Sequence, residues 1–340
     1  MERWWRLVVL KKISYNFNKK FNKYPNQMKI FWSVCGFFLL GVFSARASYD
    51  VYVDKDNQTG VEDGTEASPF DTISEGVALA VQNVEAARKI WVAAGEYQEQ
   101  VELEAGVELF GVGSREAIIV GKDGEGDHFD WTVKMRDNTK IKDLGIKYGK
   151  QGILVSSGAD VEVEDCRIYE SKINGIYVEK ARSKKEEFIL KDSKIYDSEK
   201  RGMYIKKKKV EIEDNEVYDN DEEGIDLRSS VLGSIAKNEL YDNGESGLEM
   251  ELRSVDLKLK NNKIYSNDTN GINFQYRGKN KSGEVKMSSN KIYKNKHFGL
   301  RCGTPSGGNP AKDYFSKAIT FSKDEIKNNK ENNYGKYCNF

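Results

Sequence analysis

The chain has 340 residues, with 54 basic and 54 acidic side chains, 4 prolines, 18 tyrosines and 15 phenylalanines. At 38% hydrophobic and 32% charged residues it is neither a multi-pass membrane protein nor a collagen, and its aromatic content argues against wholesale disorder. The length admits one large domain or two ordinary ones.

Residues 28–47 have the order of an export signal. Lys29 supplies a short basic region, Ile30 to Phe43 an apolar stretch, and Ala45-Arg46-Ala47 a small-x-small cleavage site. An apolar run of about 14 residues falls short of the ~20 that cross a bilayer. Cys35 lies inside this run and does not read as a lipid-anchor cysteine. Residues 1–27 are basic and aromatic, and Met28 begins a complete signal by itself, so translation is expected to start there. The alternative is a cytoplasmic tail before an uncleaved anchor. The expected division is 1–47, extension and signal peptide, and 48–340, one secreted or periplasmic domain. The first 47 residues carry nine Lys/Arg and one acid, which leaves 45 basic and 53 acidic residues, a net charge of −8, in the remainder. A mildly acidic exported part gives no support to nucleic-acid binding.

Val51 and Val53 alternate as a strand. Beyond them Asp54, Asp56, Asn57, Glu62 and Asp63 gather oxygens of the kind calcium takes, although not at EF-hand spacing. Asp54, Asp56 and Asp63 are the candidate calcium ligands, against an ordinary turn. Thr72 and Glu75 fit a capping box, and Ile73, Val77 and Ala80 fall on one helical face, so residues 71–83 are expected to form a capping helix. Ile90-Trp91-Val92 and the stretch from Gly95 to Gly111 then alternate as strands. His128 stands between Asp127 and Asp130, and His297 stands alone in a turn; both read as surface residues rather than a dyad.

From residue 152 a repeat sets in. Glycines recur at 152, 175, 202, 224, 247, 271 and 299. Six residues before all but the first stands a tyrosine: Tyr169, Tyr196, Tyr218, Tyr241, Tyr265 and Tyr293. Three residues earlier stands a small polar residue: Cys166, Ser193, Asn215, Asn238, Asn262 and Asn290. Aliphatic columns keep the same frame, and only Gly233 breaks the column of Val161, Phe188, Val210, Leu257 and Val285. After each glycine the apolar residues alternate, as in Ile225/Leu227 and Leu248/Met250, which is the period of a strand. No sustained helical period follows residue 90. Each unit is therefore three short strands and three turns, too small to bury its own apolar face, so the units must stack.

These Asn-x-(aliphatic)-Tyr…Gly-(aliphatic)-x-(aliphatic) units, such as Asn215-Glu216-Val217-Tyr218 with Gly224-Ile225-Asp226-Leu227, resemble the right-handed parallel β-helix proteins of the pectate-lyase-like superfamily. The resemblance covers residues 140–340 well and 50–139 moderately. It implies an all-β solenoid of about ten coils, most simply a monomer. The asparagines would then form a structural ladder at an interior turn, with Cys166 and Ser193 at one end. Gly95 to Gly111 is similar to the opening coils of pectin esterases, whose catalytic aspartate motifs are absent further on. Asp221 to Asp226 is similar to the Asn-Thr-Asp-Gly-x-Asp stretch of polygalacturonases, whose second Asp-Asp pair, His-Gly and Arg-x-Lys are absent. His128 is similarly placed to the His of Asp-Pro-His segments in alginate epimerases, without the Pro.

The resemblance puts active sites on the outer surface of the strand that starts at the glycine. Insertions at Glu179–Glu187, Arg277–Glu284 and Gly303–Lys317 all fall beside that strand, as binding-face insertions do. Counted by parity, its outward residues include Tyr177, Tyr204, Asp226, Glu249, Asn273 and Arg301. Asp226 and Glu249 would lie about 5 Å apart on adjacent coils, close enough for one carboxyl pKa to rise toward acid–base work. Arg228 could neutralise a uronate carboxylate, while Tyr177 and Tyr204 stack on sugar faces and Asn273 and Arg301 complete the substrate contacts. The same face also reads as a solvated charge ladder. Two functions follow: an exported protein that binds polysaccharide or a surface glycan without turnover, or a lyase, hydrolase or epimerase of acidic glycans using Asp226, Glu249 and Arg228. Neither requires a cofactor, and calcium is the one candidate. Cys302 and Cys338 each stand three residues after a glycine, Gly299 and Gly335, which would stack them one coil apart, near enough for a disulfide or for two buried thiols.

Overall fold

The computed structural model describes residues 50–82, 88–121, 128–183, 185–276, 283–304 and 314–340. The stretch expected to be a signal peptide, the insertion residues 277–282 and 305–313, and Asp127 lie outside the described residues.

The repeat folds as a right-handed parallel β-helix with three sheets. One sheet has 11 strands and runs from Val51–Val53 to Ile319–Ser322; the other two have 10 each. Successive coils pair strictly in parallel and in frame, for example Ile176 with Met203 and Met203 with Ile225. Alternation along each strand sends one set of side chains into a single core, where Ile153, Ile176, Met203, Ile225, Met250 and Phe274 are all buried. A short unit thus gains in the stack the burial it cannot have alone.

The first corner is built as the sequence frame predicts. The backbone N–H of Cys166 donates to Ser193 Oγ (3.1 Å), that of Ser193 to Asn215 Oδ1 (2.9 Å), and that of Asn215 to Asn238 Oδ1 (3.0 Å). The chain of bonds continues through Asn262 and Asn290 and ends on Asp324. Each asparagine amide also donates to backbone carbonyls, Asn238 to those of Ile212 and Ala236. The residue before each rung, such as Asp214 or Lys237, has positive φ, which turns the chain and points the rung inward.

A second ladder, absent from the sequence expectations, stands five residues later. Ser198, Asn220, Asn243, Asn267, Asn295 and Asn329 repeat the same bonding, with Asn220 Nδ2 on Asn243 Oδ1 at 2.9 Å. Between the two ladders the tyrosines of the repeat stack outside the core, Tyr196 on Tyr218 and Tyr218 on Tyr241 with ring centroids 5.0 Å apart.

Two kinds of glycine are fixed by contact. A Cβ on Gly202 would stand 2.6 Å from the Gly224 carbonyl oxygen and 2.9 Å from Asn220 Nδ2, which explains the recurring glycine. Gly233 breaks its aliphatic column because its φ is +116° and a Cβ there would meet the Val210 carbonyl oxygen at 2.0 Å.

The helix α1 spans Ile73–Gln82 and buries Ile73, Gly76, Val77 and Ala80 against the first coil. Glu75 N–H donates to Thr72 Oγ1 (3.3 Å), while Thr72 Oγ1–H donates to Glu75 Oε2 (2.6 Å). Glu99 from the next coil accepts the Ile73 and Ser74 N–H groups, at 2.7 and 2.9 Å, and holds the helix onto the stack. At the other end a five-residue helix α2, Tyr314–Ala318, departs from the all-strand expectation. Its Phe315 and Ala318 are buried, and Tyr314 Oη donates to the Leu252 carbonyl (2.7 Å), so the end of the third insertion packs onto the core rather than walling a groove. Cys302 and Cys338 form a disulfide with Cα atoms 5.2 Å apart. Cys166 is a free, buried thiol whose pKa burial pushes up to about 12.

Candidate functional site

The strands Asn174–Val178, Arg201–Lys206, Ile225–Arg228, Leu248–Glu251, Ile272–Gln275 and Phe298–Gly303 are neighbours in one sheet. Their register sets Tyr177 opposite Tyr204, Tyr204 opposite Asp226, Asp226 opposite Glu249, Glu249 opposite Asn273 and Asn273 opposite Arg301. The outward column foreseen in the sequence is therefore contiguous.

Its environment is not a solvated acidic face. Asp226 has 0% of its surface exposed and Glu249 5%, with Glu223 at 3% beside them. Two arginines cover these acids. Arg228 Nε and Nη2 reach Asp226 at 2.6 and 2.7 Å, and Nη2 reaches Glu249 Oε1 at 2.8 Å. Arg201 Nε lies 2.8 Å from Glu223 and 3.1 Å from Asp226, and Arg201 Nη2 lies 2.9 Å from Glu222. Glu249 also accepts from Asn273 and from Gln275 Nε2 (2.6 Å), and Asn273 Oδ1 accepts from Arg301 Nη1 (3.0 Å). The acids expected on the surface are thus a buried layer, because Arg228 on the strand of Asp226 and Arg201 from the preceding coil have side chains long enough to lie across them.

Burial pushes the Asp226 carboxyl up to about 7 against the pull of Arg228, with Glu223 adding to the rise. Glu249 is raised for the same two reasons, burial first and then Glu223. Desolvation rather than a like-charge pair is therefore the larger cause. Arg228 is already bound to Asp226, Glu249, Glu251 and Gln275, so it is not free to pair with a substrate carboxylate as the sequence reading assumed. Arg201 and Glu223 were not foreseen. Each stands one residue before its glycine, outside the alternating stretch from which outward residues are counted.

Carboxylate oxygens of Glu223, Asp226 and Glu249 lie within 4.8 Å of one another. Arg201 and Arg228 supply the countercharge there, which a metal ion would otherwise have to bring. Among the described residues Asp54, Asp56 and Asp63 do not converge on a common point. Asp54 accepts the Asp56 N–H (3.0 Å), Asp56 pairs with Lys55 (2.8 Å), and Asp63 accepts the Thr65 N–H (3.0 Å), the bonds of ordinary turns. His128 packs edge-on against Tyr148, and His297 lies 3.9 Å from Glu331 on the surface.

Over the buried acids opens a cleft of about 530 Å³ lined by Lys180, Arg201, Tyr204, Lys206, Arg228 and Glu251. Tyr177 and Tyr204 stack at 5.6 Å beside it. Lys206 Nζ donates to Tyr177 Oη (3.1 Å) and sits 4.9 Å from the centre of the Tyr204 ring. The groups that reach solvent here are cationic and aromatic.

A family model described as the right-handed beta helix region matches residues 151–338, more than half of the chain. The chain belongs to the right-handed β-helix family. Among solved structures this β-helix resembles the A-module of a mannuronan C-5 epimerase from Azotobacter vinelandii, with 16% identity, TM-score 0.58, and 80% of this chain and 74% of that one covered. A pectate lyase shares 14% identity at TM-score 0.57, covering 82% of this β-helix and 78% of the lyase. An alginate lyase from a Paenibacillus species shares 13% at TM-score 0.55, covering 78% of this chain and 96% of that one. At such identities the likeness is one of fold. No curated protein matches the sequence. No helix among the described residues is long and apolar enough to cross a membrane.

Proposed function

We propose that this protein works outside the cytoplasm as a polysaccharide-binding β-helix, and that its ligand lies in the cleft over Tyr177, Tyr204, Lys206 and Arg201. The observation that carries this reading is the complete burial of Asp226 under two arginines. A general acid or base must reach a substrate proton within hydrogen-bond distance. Here the carboxylates instead hold Arg201 and Arg228 in place, and the tyrosines and cations above them offer stacking and hydrogen-bond donors to a sugar chain. The three similar structures bear the names of enzymes that act on mannuronan, pectate and alginate, which supports a glycan as the partner.

A second reading is catalysis on the same face, favoured by the rise of the Asp226 pKa to about 7, a value suited to proton transfer near neutral pH. One experiment separates the two. The purified protein is incubated with pectate, alginate and glycosaminoglycans, and unsaturated products, new reducing ends and bound polymer are all measured. Binding without product, lost in Tyr204→Ala, is the expected outcome. Product formation abolished by Asp226→Asn would overturn it in favour of the enzyme. Absence of both binding and product removes the cleft from consideration.

A further inference from the structure

Many charges on this solenoid are paired across coils. Lys140 pairs with Glu162 and Glu164, Lys194 with Glu216, Lys237 with Glu213, and Lys263 with Glu239. One corner concentrates cations without such a pair. The strand Arg201–Lys206 runs straight into Lys207, Lys208 and Lys209, and the preceding coil brings Lys180 and Arg182 to the same corner. Among the described residues no carboxylate pairs with Lys180, Arg182, Lys206 or Lys207, although only Lys206 of these is even partly buried.

The acids nearby are spent elsewhere. Glu186 accepts the backbone N–H groups of Arg182 and Ser183 (2.7 and 3.0 Å), Glu179 accepts that of Ser157 (2.8 Å), and Glu187 pairs with Lys209 (2.8 Å). Glu251 is bound by Ser229 (3.0 Å) and Arg228 (3.5 Å). Lys208 is a separate case: it is buried, and its amine donates inward to the Ala159 carbonyl.

The unpaired cations are not scattered. Lys207 lines the 530 Å³ cleft already described and also a second cavity of about 320 Å³ on the far side of the corner. That second cavity is lined by Leu232 together with Arg182, Ser183, Lys207, Lys209, Ser230 and Ser254, so its polar groups are cations and hydroxyls and no carboxylate lines it. Lys207, Ser229 and Ser230 all have positive φ, and the Lys207 N–H donates to both the Arg228 and Ser229 carbonyls (3.1 Å each), which fixes the corner that divides the two cavities. Concentrated positive charge beside donor hydroxyls, on an exported part with a net charge of −8, selects an anionic group.

We propose that this corner is a polyanion track: Lys207 bridges two subsites, and Arg182, Ser230 and Ser254 join it in holding a carboxylate or sulfate of a glycan whose neighbouring sugars lie over Tyr177 and Tyr204. The proposal rests on the cleft being a glycan site and narrows the glycan to one with anionic groups on successive sugars. An uncharged chain would fill the aromatic cleft and leave the second cavity empty.

The test uses the protein from Ser48 onward with three probes: polygalacturonate for carboxylates, dextran sulfate for sulfates, and unmodified dextran as the neutral chain. Binding is measured by calorimetry at low and high salt. The expected result is salt-sensitive binding of one or both polyanions and none of dextran; the stronger polyanion identifies the group. Replacing both cations, Arg182→Ala with Lys207→Ala, is expected to weaken that binding at least about tenfold, the loss of one charge-assisted contact or more. The paired change Lys258→Ala with Lys260→Ala, on a different sheet, is expected to leave it unchanged. Circular dichroism confirms that each variant is folded. Equal binding by the double variant and the parent overturns the track. Binding of dextran that depends on Tyr204 but not on Lys207 overturns the track while keeping the glycan cleft, and no binding of any probe overturns both.

Discussion

Two columns of the same coil behave in opposite ways. The corner column repeats one residue type, Asn215, Asn238, Asn262 and Asn290, and each is buried and bonded to the side chain of the next rung. The column two residues after the glycine never repeats itself beyond one pair: Tyr177, Tyr204, Asp226, Glu249, Asn273 and Arg301. A repeated residue meets a demand that recurs with every coil, here the backbone groups of an interior turn. A varied column has no such demand and is free to carry a local site. On this molecule the break in periodicity, rather than any motif, marks where a ligand would bind.

The comparison can be broken first at the glycines. Gly224→Val puts a side chain 2.7 Å from the Gly247 carbonyl oxygen and 2.9 Å from Asn243 Nδ2. It is expected to cost more than about 4 kcal/mol, measured by urea unfolding, because neither the next coil's backbone nor the bonded ladder asparagine can yield. Next, Asn238→Leu deprives the Asn215 N–H of its acceptor and the Ile212 and Ala236 carbonyls of one donor each, at about 3–5 kcal/mol. A loss under about 1 kcal/mol in either case would mean that the ladders are ornament rather than frame. Tyr218→Leu removes two stacked contacts outside the core and is expected to cost about 1–2 kcal/mol.

Changes in the varied column should act on pH response and binding more than on the fold. The Asp226 carboxyl is raised from 3.8 to about 7 in the folded chain, so the fold holds this proton more tightly than the unfolded chain does. Its contribution is fully present below about pH 4 and is lost as pH rises through about 7. The urea midpoint of the parent is therefore expected to fall between pH 5 and pH 8, and that of Asp226→Asn to fall less. An equal slope in both would place the titration on other groups. Tyr204→Ala, the smallest change in stability, is expected to leave the thermal midpoint within about 2 °C while removing a stacking surface from the cleft. A large drop would mean that the Tyr177–Tyr204 pair belongs to the frame as the outer tyrosine stack does.

Much of this was legible in the residues themselves. The fixed nine-residue interval from Asn215 to Gly224, repeated from Asn238 to Gly247, set the strand register correctly, since length variation was confined to the other side of the coil. The second ladder was equally written there, four residues before each glycine at Asn220, Asn243, Asn267 and Asn295. It passed as turn composition because asparagine is common in turns for other reasons. The character of the site was less legible. Parity places Asp226 outward, and outward was taken to mean solvated.

The sequence by itself determined the repeat, the three-strand coil, the parallel stack and the capping helix, because each rests on local period and on backbone bonding that any coil must satisfy. Only the tertiary structure decided that Asp226 and Glu249 lie beneath Arg201 and Arg228 and that the exposed charge of the cleft is positive. Apart from the Arg228–Asp226 pair, two residues apart on one strand, those relations join residues from different coils, 21 to 25 positions apart, and depend on how far each side chain reaches across its neighbours. A column of letters records the order of such side chains along the stack but not which of them covers the next.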